Sequence, residues 1–94
     1  MAFTVTTGGR VIEVNGGTGT VTTNSWCLAR IRWVSKSASA GDSCIVTDTA
    51  GHVVFESNAT GADFSDEVEL GKVNVFNGII LTTLSSGNVY FYLR

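Results

Sequence analysis

The C-terminal stretch 76–94 constrains the fold most, because its apolar residues fall on both faces of an extended chain. A strand with one face in water alternates apolar and polar residues. Here Val89, Phe91 and Leu93 would point to one side. Tyr90 and Tyr92 would point to the other side. The second face must therefore be covered, either by a second layer of the same domain or by another chain.

The residues before Ser85–Asn88 repeat this two-sided pattern. Ile80 and Leu84 would share one face, and Ile79 and Leu81 the other. We therefore predict a terminal β-hairpin that turns at residues 85–88.

The rest of the chain is also typical of strands. Val and Thr are abundant, proline is absent, eleven glycines punctuate the sequence, and no helical periodicity is present. We expect one β domain over residues 1–94, an all-β antiparallel sandwich or jelly-roll-like barrel of about eight short strands. Besides the terminal hairpin, the strand segments are 3–7, 10–14, 25–35, 43–47, 52–56, 64–70 and 72–76, and the polar segment 18–23 is a strand or an edge segment.

The segment 25–35 is the longest of these strands. Its odd-numbered residues from Cys27 to Trp33 carry no charge and are the predicted core face. Trp26, Arg30 and Arg32 would lie on the opposite face, together with Leu28 and Val34. Trp and Arg are enriched where interfaces concentrate their binding energy. This face is thus a candidate contact surface, unless Trp26 belongs to a second half of the core.

An acidic run precedes and enters the segment 64–70. In an extended chain Asp63, Glu67 and Glu69 would share one face, and Asp66 would lie on the other. The run fits a solvated strand face or a salt-bridged contact with a neighbouring subunit. It lacks the loop pattern that gathers oxygen ligands around calcium, so no metal site is predicted.

Charge and composition argue against several classes of partner. The formal net charge is −2, whereas nucleic-acid binding requires a basic face. No apolar run reaches the roughly 20 residues that span a bilayer, so no membrane partner is expected. Residues 1–7 lack a signal-peptide pattern, which predicts cytosolic synthesis. Cys27 and Cys44 are then expected to be reduced thiols.

The surface is poor in charge. Only 15% of the residues are charged, against about 25% in typical soluble domains. One explanation is that part of this surface contacts another protein. The other is that Gly, Thr and Ser cover the surface and keep it hydrated without charge.

No residue pattern predicts catalysis. His52 is the only histidine, and neither a nucleophile elbow nor an oxyanion loop accompanies it. The glycine-rich segment 15–20 lacks the Lys and the helix of a phosphate-binding loop. We therefore expect no enzyme activity and no cofactor, and interpret His52 as a surface turn residue.

Two segments of the chain have a recognisable pattern of turns and strands. Residues 40–56 read AGDSCIVTDTAGHVVFE, and the end of the chain contains FNGI and SGNVYFY. These segments resemble small β proteins encoded by bacteriophages. The resemblance covers about the last sixty residues and includes no catalytic or binding residue. Such proteins are typically virion components, either capsid decoration (cement) proteins or small head and tail accessory subunits.

The resemblance implies a structural virion protein, foremost a capsid decoration protein that stabilises the shell through subunit contacts. It would be made in the cytoplasm of the bacterial host and would bind phage capsid or other virion proteins. A homo-oligomer is expected, and a trimer or another closed ring would fit. The alternative is a tail or head accessory module that binds a carbohydrate or a receptor. The predicted contact residues are Trp26, Arg30, Arg32, Tyr90, Tyr92 and Arg94, with Asp63, Glu67 and Glu69 as complementary charges.

Overall fold

The computed structural model describes residues 4–36, 38–70 and 75–93, and these ranges form eight strands and no helix. All strand pairs are antiparallel. The strands are β1 (Thr4–Gly8), β2 (Val11–Asn15), β3 (Gly19–Ser35), β4 (Ser43–Thr47), β5 (Val53–Asn58), β6 (Phe64–Glu69), β7 (Val75–Leu84) and β8 (Asn88–Leu93). The predicted all-β antiparallel fold is confirmed.

The long strand β3 belongs to two sheets. Its first half pairs with β7, while its second half pairs with β8 on one side and β6 on the other. We call the strands β1-β2-β8-β3-β6 sheet A, and the strands β3-β7-β4-β5 sheet B. The buried apolar side chains form one cluster to which both sheets contribute. The fold is therefore a sandwich whose two layers share a strand.

Two predicted segments, 18–23 and 25–35, are in fact this single strand. Register shifts interrupt its pairing with β7 between Thr20 and Thr22 and between Thr22 and Ser25. Such bulges bend a strand and increase its twist, which lets β3 pass from sheet B into sheet A. Of the predicted strand 72–76, residues 72–74 lie outside the described residues, and Val75 begins β7.

The predicted terminal hairpin is wrong. β7 pairs with β3 and β4, whereas β8 pairs with β2 and β3. The turn after Leu84 therefore carries the chain from sheet B across to sheet A. The Trp33 indole N–H donates a 2.8 Å hydrogen bond to the Ser86 carbonyl and holds this turn against β3. Each of the two apolar strands therefore lays one face on the shared core from its own sheet, and no described strand covers the Tyr90 and Tyr92 face of β8.

The core contains the predicted inner face of β8. Val89 and Phe91 are fully buried, whereas Tyr90 and Tyr92 are only half-buried and lie on the other side. The other fully buried large apolar side chains are Ile12, Val14, Leu28, Ile31, Trp33, Cys44, Val46, Ile79 and Leu81.

The predicted faces of β3 are wrong before residue 30. A register shift between Leu28 and Arg30 places an extra residue, Ala29, opposite β8. Trp26 and Leu28 face the core before this bulge, and Ile31 and Trp33 face it afterwards. Leu28 and Ile31 are accordingly both fully buried. Trp26 packs against the core, with its ring 6.4 Å from that of Phe91.

A bulge in β7 also moves Leu84 from its predicted face to the core face. The pairing with β4 shifts between Thr83 and Leu81. Leu84 therefore packs against the core, as Leu81 does, and does not share the face of Ile80 as predicted.

Candidate interaction face on sheet A

The outward side of sheet A gathers side chains from four strands. Cross-strand partners lie on the same side of a sheet, so the register defines two adjacent rows. One row is Glu13 (β2), Tyr90 (β8), Arg32 (β3) and Glu67 (β6). The other row is Val11, Tyr92, Arg30 and Glu69. We call these eight residues the outer face.

Six of the nine predicted contact residues lie on the outer face: Arg30, Arg32, Tyr90, Tyr92, Glu67 and Glu69. Trp26 does not, because the Ala29 bulge turns it toward the core. Asp63 lies in the loop before β6 at a positive φ of 55°. Arg94 lies outside the described residues.

Sequence reasoning missed Val11 and Glu13. Both lie on β2, which pairs with the far side of β8. The alternation of β2 could have indicated that they share a face, since Ile12 and Val14 between and after them are buried. Only the pairing of β2 with β8 places that face beside Tyr90 and Tyr92.

Arg30 is held by three neighbours. Its Nε lies 3.2 Å from Glu67 Oε2, and its Nη2 lies 2.8 Å from Glu69 Oε1. Its guanidinium carbon lies 5.6 Å from the centre of the Tyr92 ring, within cation–π range. Because the arginine side chain is 42% exposed, each ion pair stabilises the fold by well under about 1 kcal/mol. Their combined effect is to fix where the guanidinium and the tyrosine ring lie.

Asn88 connects two members of the other row. Its side-chain amide donates a 2.9 Å hydrogen bond to Glu13 Oε2 and lies 3.5 Å from the Tyr90 hydroxyl. The amide thereby positions the Glu13 carboxylate beside Tyr90.

Arg32 differs from Arg30, although both occupy the centre of the outer face. It is exposed, and no described residue forms an ion pair with it. Its register neighbours are Tyr90 and Glu67, and Glu67 is already paired with Arg30. Arg32 can therefore offer its full set of N–H donors to an incoming carboxylate.

His52 belongs to the turn between β4 and β5. Its Nδ1 lies 3.2 Å from Asp48 Oδ2, and Asp48 Oδ1 accepts hydrogen bonds of 2.9 Å from the backbone N–H groups of Ala50 and His52. The hydrogen bond from the His52 backbone is the main reason why the pKa of Asp48 is lowered. The His52 side chain is 80% exposed, and its contacts with Asp48 stabilise the turn.

The crossover turn contains a second polar group of residues. The Ser86 hydroxyl donates to Asp42 Oδ2 at 2.9 Å and lies 2.7 Å from the hydroxyl of the buried Ser35. The backbone N–H of Ser39 also donates to Asp42. Beside this turn, residues 15–17 and 84–88 line a cleft of about 450 Å³. Because the Ser86 hydroxyl and the Asp42 carboxylate find hydrogen-bond partners within the chain, we interpret this end of the sandwich as structural.

Both cysteines are free thiols. Cys44 is fully buried, and burial raises the pKa of its thiol to about 12. Within the described ranges no group of three or more His, Cys, Asp or Glu side chains could hold a metal ion. No helix of those ranges is long and apolar enough to cross a membrane.

Comparison with known proteins found no match to this chain among family models, curated proteins or solved structures.

Proposed function

We propose that this protein is a structural subunit of a bacteriophage virion, of the capsid decoration type, and that it binds neighbouring subunits through the outer face of sheet A. Two lines of argument support the proposal. Residues 40–56 and the FNGI and SGNVYFY segments resemble small phage β proteins. The main support for a binding role is that two arginines of β3 and two tyrosines of β8 lie side by side on one surface.

Strand β8 would supply the residues that anchor the partner, Tyr90 and Tyr92. Tyr90 and Tyr92 are half-buried, so their rings are already partly ordered and lose little further freedom on binding. Tyrosine and arginine are the residue types that most often dominate interface energy. Both tyrosines pair directly with an arginine of β3, Tyr90 with Arg32 and Tyr92 with Arg30.

The charges of the surface would orient the partner. Arg30 is neutralised by Glu67 and Glu69, whereas Arg32 has no ion pair with a described residue. A partner carboxylate near Arg32 would complete a charge pair that becomes desolvated on association. Such pairs give orientation and specificity, and removing one partner weakens binding because the other charge is left desolvated and unpaired.

Co-sedimentation with capsid shells stripped of accessory proteins tests this proposal. We expect the full chain to bind the shells and the variant Arg32→Ala to bind at least about tenfold more weakly, the loss typical of an interface hot spot. Glu56→Ala is the matched control, because Glu56 is an exposed charge on β5 of sheet B.

Shells that do not bind the chain, or that bind the Arg32 and Glu56 variants equally well, would contradict the proposal. Binding on a glycan array that is lost with Tyr90→Ala would favour the carbohydrate-binding alternative. The structure offers little for sugar stacking at Tyr92, because Arg30 already lies over that ring.

A further inference from the structure

Strand β1 forms an edge of sheet A. It pairs with β2 over five residues in uninterrupted register, and no described strand pairs with its other side. Its sequence, TVTTG, contains no charge and no proline. An edge of this kind is a template for pairing with another strand, and proteins usually protect it with charges, bulges or proline.

The other edges of the two sheets are protected in these ways. The first half of β3, which ends sheet B, is interrupted by bulges between Thr20 and Ser25. β6 carries Asp66, Glu67 and Glu69. β5 carries Glu56, and its pairing with β4 is interrupted by a bulge at Val54. β1 has neither device, so the contrast lies within one molecule and points to β1 as the edge that accepts a partner.

Val5 provides a second sign that β1 is incomplete. It pairs with Val14, which is fully buried, so both side chains lie on the core side of sheet A. Val5 nevertheless remains 37% exposed. A strand added beside β1 would cover this side chain and would continue the core.

We propose that the partner is β1 of a second copy of this chain, paired antiparallel about a two-fold axis perpendicular to sheet A. An axis midway between the two Val5 residues places their side chains opposite each other on the core side. The strand is uncharged, so two identical copies bring no like charges together. Opposed β-branched side chains stabilise antiparallel pairs, and a two-fold axis closes the association at two copies.

The pairing joins two five-stranded sheets into one continuous sheet and leaves the outer faces of both copies on the same side. Two Tyr90 residues then belong to one extended surface. The inference concerns a different part of the molecule from the proposed binding face and does not rest on it.

Sedimentation of the full chain over a concentration series tests the pairing. A five-residue strand contact is small, so the expected dissociation constant is on the order of 0.1–1 mM. Val5→Lys should weaken the dimer at least about tenfold, because two ammonium groups would then meet. Val53→Lys is the matched control, since Val53 is a 59% exposed valine at the start of edge strand β5.

A second variant covers the case in which Val5→Lys disturbs folding. Thr6→Lys places the charge on the exposed outer side, next to Glu13, and should also weaken the dimer, but less than Val5→Lys because the two residues at position 6 are not directly opposite each other. Arg32→Ala, which tests the outer face, should leave the dimer unchanged. Hydrogen exchange should show the β1 amides that point away from β2 slowing at least about tenfold as the concentration rises.

A chain that stays monomeric at about 1 mM would overturn the inference and leave this edge to a strand of a different protein. A dimer that survives both lysine substitutions, a trimeric mass, or protection confined to β5 or β6 would overturn it as well.

Discussion

The crossover turn between β7 and β8 and the outer face of sheet A are both polar, but they use their polar groups differently. At the turn, Ser86 contacts Asp42 and the buried Ser35, and its carbonyl accepts from Trp33. On the outer face, Arg30 is paired and Arg32 has no ion pair with a described residue. The polar groups of the turn are paired within the chain, whereas the Arg32 guanidinium on the outer face is exposed.

Substitutions in the two regions should affect different properties of the protein. Groups whose partners lie within the chain contribute to the free energy of unfolding. Charged groups left exposed contribute little to folding. Stability and binding should therefore be separable between the two regions.

The largest expected effect is at Gly87. Its φ is +82°, and a Cβ there would overlap the Val34 carbonyl and lie 2.6 Å from Ser35 Cβ. Because neither neighbour is the end of a flexible side chain, Gly87→Ala should reduce the free energy of unfolding by about 3–5 kcal/mol, combining left-handed strain with a backbone clash. Urea unfolding measures this loss.

Gly51→Ala is the control for the strain alone. Gly51 has a similar φ of +87°, but a Cβ there would meet nothing within 4 Å. Its substitution should cost only about 1–2 kcal/mol. Equal losses at the two glycines would show that the crossover is not packed against β3 as described.

An intermediate effect is expected from acid. Hydrogen bonds from the Ser39 backbone and the Ser86 hydroxyl lower the pKa of Asp42 below its usual 3.8. A carboxylate whose pKa is depressed in the folded state contributes stability that is present above about pH 4 and is lost as the pH falls through the folded pKa. The urea midpoint should therefore decline below about pH 4.

Asp42→Asn removes this titration and should flatten the acid limb of the curve. Asp48→Asn should flatten it separately, since the pKa of Asp48 is lowered for a similar reason in a different turn. An acid limb that is unchanged in both variants would contradict the assignment of these hydrogen bonds.

The smallest effect on stability is expected at Arg30. Arg30→Ala removes two exposed ion pairs and the cation–π contact. The loss in free energy of unfolding should nevertheless stay below about 1 kcal/mol. A loss of 3 kcal/mol or more by urea unfolding would mean that the outer face holds the fold together, and the contrast with the crossover would disappear.

Part of this fold was readable from local patterns. The alternation in β8 correctly separated Val89 and Phe91 from the two tyrosines, because side-chain direction in an unbroken strand has a period of two. The same rule failed in β3, where the bulge at Ala29 exchanges the two faces. A bulge is set by the pairing partner and leaves no clear mark in the sequence of its own strand.

Long-range strand pairing explains why the terminal hairpin was predicted wrongly and why the outer face was predicted only in part. The terminal hairpin was predicted because the same two-sided apolar pattern lies on both sides of a turn at residues 85–88. In the structure β7 pairs with β3 and β4, and β8 pairs with β2 and β3. Arg30, Arg32, Glu67 and Glu69 were predicted from their residue types and periods. Their meeting with Tyr90 and Tyr92 depends on long-range register.

The sequence by itself determined that this chain forms strands, where most of them begin and end, and which side chains of β8 avoid water, because these properties depend on local sterics and on transfer from water. The tertiary structure decided which strands pair, where bulges exchange the faces of β3 and β7, and that residues from four strands form one exposed surface. Those outcomes depend on hydrogen-bond partners distant in sequence, whose choice minimises the free energy of the whole chain and not of any one segment.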